Sequence, residues 1–337
     1  MEAKRYRLSI VGGIRRDYYI TADGETHLGI PGGHGVYAAV GARVWSGEVA
    51  VYSRIGPGFP ERDLAQLRDA GIQVIGHPRT SEPFEQRRFF AYVTPERRVG
   101  SNPAGHFLRI GRPLPKELLN YPSENTEEAS RILGGADAFL PDDLPREGSL
   151  PECVHLCPAD YRTHVLLPAR LREAGVRIIT LDPSAWYNSM DYASGLRDIA
   201  SGLDAFLPSV EEAREMLRPS ELGPFETAEA LASMGCRFVA IKHGAGGSCI
   251  WDREQARGWH VPAYPARVRD VTGAGDAYCG GFLAGLCGQG DALEAALMGT
   301  VSASLAIEGS GAVYPLGALP GLARARLEAL RPLVRPA

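Results

Sequence analysis

Along the chain, short apolar runs rich in β-branched residues alternate with stretches whose apolar positions recur every three to four residues. The first pattern predicts buried strands and the second predicts helices packed on them. Leu8 to Val11 reads as a first strand, Val36 to Trp45 as a helix and Val49 to Gly56 as a strand. Glu61 to Gly71 reads as an amphipathic helix closed by a glycine cap. The later pairs are clearer, with a strand over Cys153 to Cys157, a helix over His164 to Gly175 and a strand over Val176 to Asp182. A short run at Ala205 to Ser209 then precedes helices over Glu211 to Leu217 and Thr227 to Gly235, and Phe238 to Gly244 reads as a further strand. Alternation of this kind builds βαβ units, so the chain predicts a mostly parallel sheet covered by helices.

Two stretches break the alternation. Arg15 to Gly32 carries an Asp23-Gly24 turn between β-prone arms, and Arg87 to Gly100 has β-prone arms around Pro95. Both read as hairpins outside the main sheet, forming a small flap over one edge. Residues 110–150 are proline-rich and irregular. With no long linker and no internal repeat, the pattern predicts one domain over 1–337 with a β flap.

Composition narrows the partners. The 45% hydrophobic and 23% charged residues are those of a water-soluble globular protein. The 36 Lys plus Arg against 40 Asp plus Glu give a net charge of -4, which points to neither a nucleic-acid nor a membrane partner. The apolar run in the basic N-terminus is too short for a signal peptide, and no segment approaches a membrane span. The six cysteines form no CxxC pair and several sit in apolar runs, so a reduced, cytoplasmic protein with buried thiols is expected.

The chemistry concentrates in Asp270-Val-Thr-Gly-Ala-Gly-Asp276 and the helical run behind it. A helix that starts at Gly275 or Asp276 aims unpaired N–H groups and the positive end of its dipole at whatever lies in front. Small residues let an anion come close to that backbone, and the neighbouring carboxylate can take a proton. Both parts serve phosphoryl transfer to a hydroxyl. The plain alternative is a glycine turn with Asp276 as an ordinary helix cap. A P-loop is absent. The GxGxxA match at Gly33 to Ala38 is a poor dinucleotide site, because Pro31 spoils the preceding strand and no acid closes the next one.

The segment resembles the second signature of the ribokinase, or PfkB-type carbohydrate kinase, family, usually written DTTGAGD, from which this chain departs only at Val271. Further matches follow in the family's order. Val11 to Asp17 resembles the first strand with its substrate-contacting Asp, and Gly32 to Ala39 resembles the first signature, GGxGxNxA. Phe206 to Ala213 resembles the metal-linked NxxE segment, Ile241 to Trp251 the nucleotide-loop strand, and Gly299 to Ala312 the helix and loop beside the adenine pocket. The resemblance implies an α/β fold, a three-layer α/β/α sandwich with a small β lid, and transfer of the γ-phosphate of ATP to a hydroxyl of a sugar, polyol or nucleoside. It places the general base on Asp276 and the anion hole on Gly273, Ala274 and Gly275. Acceptor contacts fall on Asp17, Gly32, Gly33, Tyr37 and Cys157, and nucleotide contacts on Ser209, Lys242, Gly244, Gly247 and Ala312. Glu212 would act on Mg²⁺ through water, and Asp270 would neighbour a monovalent cation such as K⁺. Lid pairing would give a homodimer. A non-catalytic regulator that binds nucleotide or sugar is the alternative class.

The departures lie mostly at the acceptor end. Tyr37 stands where the family has a sugar-contacting Asn, Ser209 replaces the Asn of NxxE, and Cys157 stands where some relatives have Glu. Three further readings stay open. Cys153, His155 and Cys157 share one face of a strand, as buried small residues with one hydrogen-bonded His or, less simply, as zinc ligands. His34 either contacts substrate or is an exposed loop residue. One of Arg87 and Arg88 reaches an anionic acceptor, or both are solvated, and Trp186 and Tyr187 either approach the ligand crevice or pack.

Overall fold

The computed structural model describes residues 6–77, 84–94, 97–122, 134–144, 151–184, 193–217 and 221–337. Pro95, Trp186 and Tyr187 lie outside the described residues. The strands are β1 (Leu8–Val11), β2 (Arg15–Ile20), β3 (Thr26–Gly32), β4 (Val49–Arg54), β5 (Ile72–His77), β6 (Arg87–Tyr92) and β7 (Arg98–Val99) in the first part of the chain. They continue with β8 (Cys153–Leu156), β9 (Ile178–Leu181), β10 (Ala205–Phe206), β11 (Phe238–Lys242), β12 (Ser248–Asp252), β13 (Arg257–Val261) and β14 (Arg335–Pro336). The helices are α1 (His34–Arg43), α2 (Glu61–Asp69), α3 (Pro103–Arg109), α4 (Tyr161–Glu173) and α5 (Ala193–Ser201), followed by α6 (Val210–Met216), α7 (Pro224–Ala232), α8 (Ala274–Gln289), α9 (Ala292–Ala306) and α10 (Leu322–Leu330).

Ten strands form one sheet in the order β14-β13-β12-β11-β10-β9-β8-β1-β4-β5. The run from β5 to β11 is parallel, and β12, β13 and β14 add antiparallel at one edge. The parallel strands are covered on both faces, as continuous apolar runs such as Leu8–Val11 require. Residues of α1, α2, α8, α9 and α10 share one core with one face of the sheet, and residues of α4, α5, α6 and α7 share a second core with the other. This is the expected three-layer α/β sandwich.

Helix α8 shows why its sequence is so rich in small residues. A Cβ on Gly280 would collide with the carbonyl of Ala38, so only glycine lets α8 lie this close to α1. That contact sets the two helices, and hence their two N-termini, side by side. Phe282, Leu283 and Leu286 are buried on the same helix, each contributing about 1.5–3 kcal/mol by leaving water.

The two stray hairpins join into one four-stranded sheet, β3-β2-β6-β7. Within it β2 pairs antiparallel with β3 and β6 with β7, while β2 and β6 run parallel. The turn of the first hairpin sits at Thr21 to Glu25, with Gly24 at φ 86°. One face buries Tyr18, Ile20, Phe89 and Ala91 against Phe107 of α3 and Leu118. The opposite face, with Asp17, Tyr19, Phe90 and Tyr92, turns toward the large sheet.

The cysteine expectation is corrected at one pair. Cys153 and Cys287 form a disulfide across 134 residues, tying the start of β8 to the last turn of α8. No CxxC spacing announces it, because the partners come from distant elements. Cys157, Cys236, Cys249 and Cys279 are buried free thiols. No helix among the described residues is long and apolar enough to cross a membrane.

Candidate functional site

The carboxyl ends of the parallel strands open into a cleft of about 530 Å³. That is where a parallel sheet with covered faces leaves room for a ligand. Its lining includes Asp17, Gly33, His34 and Tyr37 from the lid hairpin and α1, Cys157 after β8, and Gly273 and Asp276 at the start of α8.

The phosphate end is built on α8. The helix begins at Ala274, one residue earlier than expected, with Gly273 as its cap at φ 71°. Only glycine holds that left-handed conformation without strain, and a Cβ there would also strike the ring of Tyr37. The preceding turn is fixed by Asp270, whose Oδ1 accepts from the Thr272 N–H at 2.9 Å and whose Oδ2 accepts from the Tyr19 hydroxyl at 2.8 Å. Thr272 Oγ1 also meets the Tyr92 hydroxyl at 2.9 Å, which couples the lid to this turn. The Ala274 N–H is taken by Val271, and the first helical bond runs from Ala277 to Gly273. Helix geometry therefore leaves the N–H groups of Gly275 and Asp276 for a ligand.

Asp276 is half-buried, and its Oδ1 lies 2.8 Å from His34 Nδ1. Burial pushes its pKa up, but the charge and hydrogen bond of His34, with Lys242 and Arg98, outweigh burial and hold it below the usual carboxylate value. Asp276 is thus ionised at neutral pH and accepts only, so His34 Nδ1 is the donor. Behind the helix start, Lys242 Nζ sits 2.6 Å from Asp182 Oδ2 and 3.5 Å from Cys279 Sγ. Burial disfavours the Lys242 ammonium, yet the Asp182 carboxylate more than offsets it and keeps the lysine charged. Asp182 Oδ1 is buried with no hydrogen-bond partner among the described residues.

At the acceptor end, Asp17 is buried on β2 beside the irregularity between Asp17 and Tyr18. Tyr37 donates its hydroxyl to Asp17 Oδ2 at 3.2 Å. Burial lifts the Asp17 pKa to about 6 against the opposing bonds from Tyr37 and the Gly33 backbone. Gly32 lies directly under this carboxylate, where any Cβ would clash with it. Cys157 is buried, with its thiol pKa driven well upward by burial, so it offers a neutral S–H. Arg88 is exposed on the cleft wall, whereas Arg87 is held by Glu85 and lies over the Tyr121 ring.

The remaining expected positions lie around this cleft rather than in its lining. Ser209 caps α6 and Glu212 closes a reciprocal box, with its Oε2 accepting from the Ser209 N–H at 2.7 Å. Ser209 bridges to Lys242 at the end of β11. Gly244 and Gly247 bound the loop between β11 and β12, at φ 54° and 85°. Ala312 is buried in the core shared with α1, after a turn in which Gly311 N–H donates to the Tyr19 hydroxyl. Asp270 lines a separate depression with Tyr92 and Glu308. The zinc reading of β8 does not survive. Cys153 is in the disulfide, Cys157 lies at the far end of the strand, and buried His155 pairs with Thr180 with its pKa pushed down to about 3. Among the described residues, the one group close enough to share a metal, Glu152, Cys153 and Cys287, has both its sulfurs in that disulfide.

Sequence reading missed Asp182, Cys279 and Tyr19 as parts of the site. Asp182 carried the signal that would have found it, an acid at the carboxyl end of a parallel strand. His34 was left open, and its pairing with Asp276 resolves it toward the site.

Comparison with known proteins agrees with this geometry. The model of the pfkB family carbohydrate kinases matches residues 162–318. The chain is 23% identical over 283 residues to a cytidine kinase of Thermococcus kodakarensis, covering 82% of this chain and 87% of that protein. It is 32% identical over 142 residues to a 2-dehydro-3-deoxygluconokinase of Dickeya dadantii, covering 41% of this chain and 44% of that protein. Its fold matches fructokinase from Xylella fastidiosa, solved with bound ATP, with a TM-score of 0.69 and 18% identity over 96% of this chain and 98% of that one. The chain is thus similar to the pfkB family carbohydrate kinases in sequence over residues 162–318 and shares their fold, and these findings support a kinase enzyme.

Proposed function

We propose that this kinase transfers the γ-phosphoryl group of ATP to a hydroxyl of a small sugar or sugar-like polyol. One observation carries the reading. An ionised Asp276, the N-terminus of helix α8 and a buried Asp17 are all at one cleft. Asp17, with Gly32 and Gly33 beneath and beside it, would orient the acceptor. Asp276 would take the proton of the attacking hydroxyl while Gly273, Ala274 and Gly275 present the helix N-terminus to the transferring phosphoryl. In a loose transition state most charge rests on that group, so fixed donors contribute more than a strong base.

The residues present fit a bound nucleotide. A Cβ on Gly244 would meet nothing within 4 Å, so there is open space above the loop at Gly244. The charged Lys242 lies 3.9 Å from where a Gly275 Cβ would stand, which places positive charge under the phosphate end. Glu212, with the unsatisfied Asp182 Oδ1 nearby, supplies the oxygen donors that Mg²⁺ prefers, and it would hold the ion through water. Bound there, Mg²⁺ neutralises phosphate charge. Potassium beside Asp270 is a separate proposal, read by turnover in potassium against choline chloride. A homodimer through the lid is another, read by sedimentation.

A nucleoside is the second acceptor reading, because one relative that spans most of both chains is a cytidine kinase. The test is ADP release from ATP over a panel of sugars, sugar acids, polyols and nucleosides. Acceptor-dependent ADP release with one class supports the reading and chooses between acceptors. ATP binding with no acceptor phosphorylated would overturn it in favour of a regulator.

A further inference from the structure

His34 is the first residue of α1, and Asp276 is the third of α8. They lie 242 positions apart in the chain, yet the close packing of the two helices brings their starts together and closes a 2.8 Å contact. Both side chains line the cleft, with the His34 side chain 44% exposed and that of Asp276 13% exposed. Among the described residues, His34 is the one side chain that hydrogen-bonds the Asp276 carboxylate, and it does so at Oδ1. Oδ2 is left for a ligand.

We propose that His34 is a positioning residue for Asp276, holding Oδ1 so that Oδ2 faces the acceptor hydroxyl. The proposal rests on the kinase reading above. In the transfer step the acceptor oxygen bonds to the transferred phosphorus, the bond from that phosphorus to the leaving ADP oxygen breaks, and the acceptor proton passes to Asp276 Oδ2. The His34 Nδ1–H stays on Oδ1 throughout. A carboxylate fixed at one oxygen keeps one geometry for the other, which is what proton transfer over a single hydrogen bond demands.

The charged and titratable surroundings of the pair come from every neighbouring element. Arg98 and Arg88 face it from the lid, and Asp17 from β2. His155 and Cys157 approach from β8, Asp182 from the end of β9, Lys242 from β11 and Cys279 from α8. Of these, His34 acts on Asp276 most strongly, ahead of Lys242 and Arg98. Removing His34 therefore moves the Asp276 midpoint upward, the direction expected when a hydrogen bond to the charged form is lost.

The experiment compares wild type, His34→Ala and His34→Asn, which keeps a neutral donor near the Nδ1 position. The acid limb of the kcat–pH profile should move up in His34→Ala, the direction expected when a hydrogen bond to the ionised carboxylate is lost. His34→Asn should recover the maximal kcat to within about threefold, since a neutral donor to Oδ1 remains near the Nδ1 position. A limb that stays at the wild-type pH in His34→Ala would overturn the proposal and leave His34 as a helix-start tether. The Asp276 carboxyl carbon, identified by its loss in Asp276→Asn, can be titrated by carbon-13 NMR in the free protein without turnover. Its midpoint should rise in His34→Ala, and an unchanged midpoint sinks the proposal even if no acceptor is found. A failed acceptor panel would instead count against the kinase chemistry alone.

Discussion

At the phosphate end of the cleft the fixed groups come from the large sheet and the helices packed on it, whereas at the acceptor end Asp17 and its neighbours come from the lid sheet and the glycine segment behind it. The start of α8 is held by Asp270, Tyr19 and the close α1 contact, and its charges are compensated by Lys242 and His34. The acceptor end instead carries a buried carboxyl whose side-chain hydrogen bond from Tyr37 is long, at 3.2 Å, and whose pKa is lifted to about 6. The first region is arranged around a charge that every substrate of such a kinase shares. The second is where Tyr37 and Cys157 depart from the pattern of the family the chain resembles, so under the proposed function specificity would lie there.

The largest test of that contrast is Asp276→Asn. It should lower kcat by about a thousandfold, the middle of the range for losing a positioned general base, while ATP binding by calorimetry stays near wild type. Retained full activity would remove Asp276 from the chemistry and with it the asymmetry between the two ends.

Lys242→Met probes the support behind the anion helix. It strands the Asp182 carboxyl in a buried site, and breaking such a pair costs about 3–5 kcal/mol. The low end, about 3 kcal/mol, is expected because burial already favours a protonated Asp182 that can shed its charge. Denaturant unfolding at neutral pH measures it, and an unchanged midpoint would show that the pair does not hold this end together.

Asp17 gives a pH test at the other end. Its folded pKa of about 6 lies above its ordinary 3.8, so the native state binds its proton more tightly than the unfolded chain. That stabilisation is complete below about pH 4 and is lost as pH rises through about 6, up to about 3 kcal/mol at 1.36 kcal/mol per unit. Asp17→Asn lacks this proton. The stability of wild type relative to the variant should therefore fall between pH 4 and 6, and a flat difference would mean that Asp17 is not strained by burial.

The smallest effect is expected for Tyr37→Phe, which deletes the hydroxyl on Asp17 and keeps the ring against Gly273. At 3.2 Å the bond is worth about 1–2 kcal/mol, near the low end for a charged acceptor. Acceptor KM should rise about five- to thirtyfold with ATP KM within about twofold. An equal rise in both would show that the two ends are not separable.

Much of this was legible in the chain. The glycine-rich segment before Asp276 announced a helix start to within one residue, because the signal is local: small residues, a left-handed glycine and a carboxylate in a row. The hairpin at Arg15 to Gly32 was equally readable from its Asp-Gly turn. Asp182 was visible as the end of a strand but not as the partner of Lys242, 60 residues away. The disulfide was invisible for the same reason.

By itself, then, the sequence determined the alternation of strands and helices and the two hairpins, since periodicity and turn chemistry act over a few residues. Tertiary structure alone decided that β2 pairs with β6 to make one lid, that α1 and α8 touch through Gly280, and that His34 meets Asp276. Those pairings depend on which surfaces bury each other across hundreds of residues, and no local pattern records that.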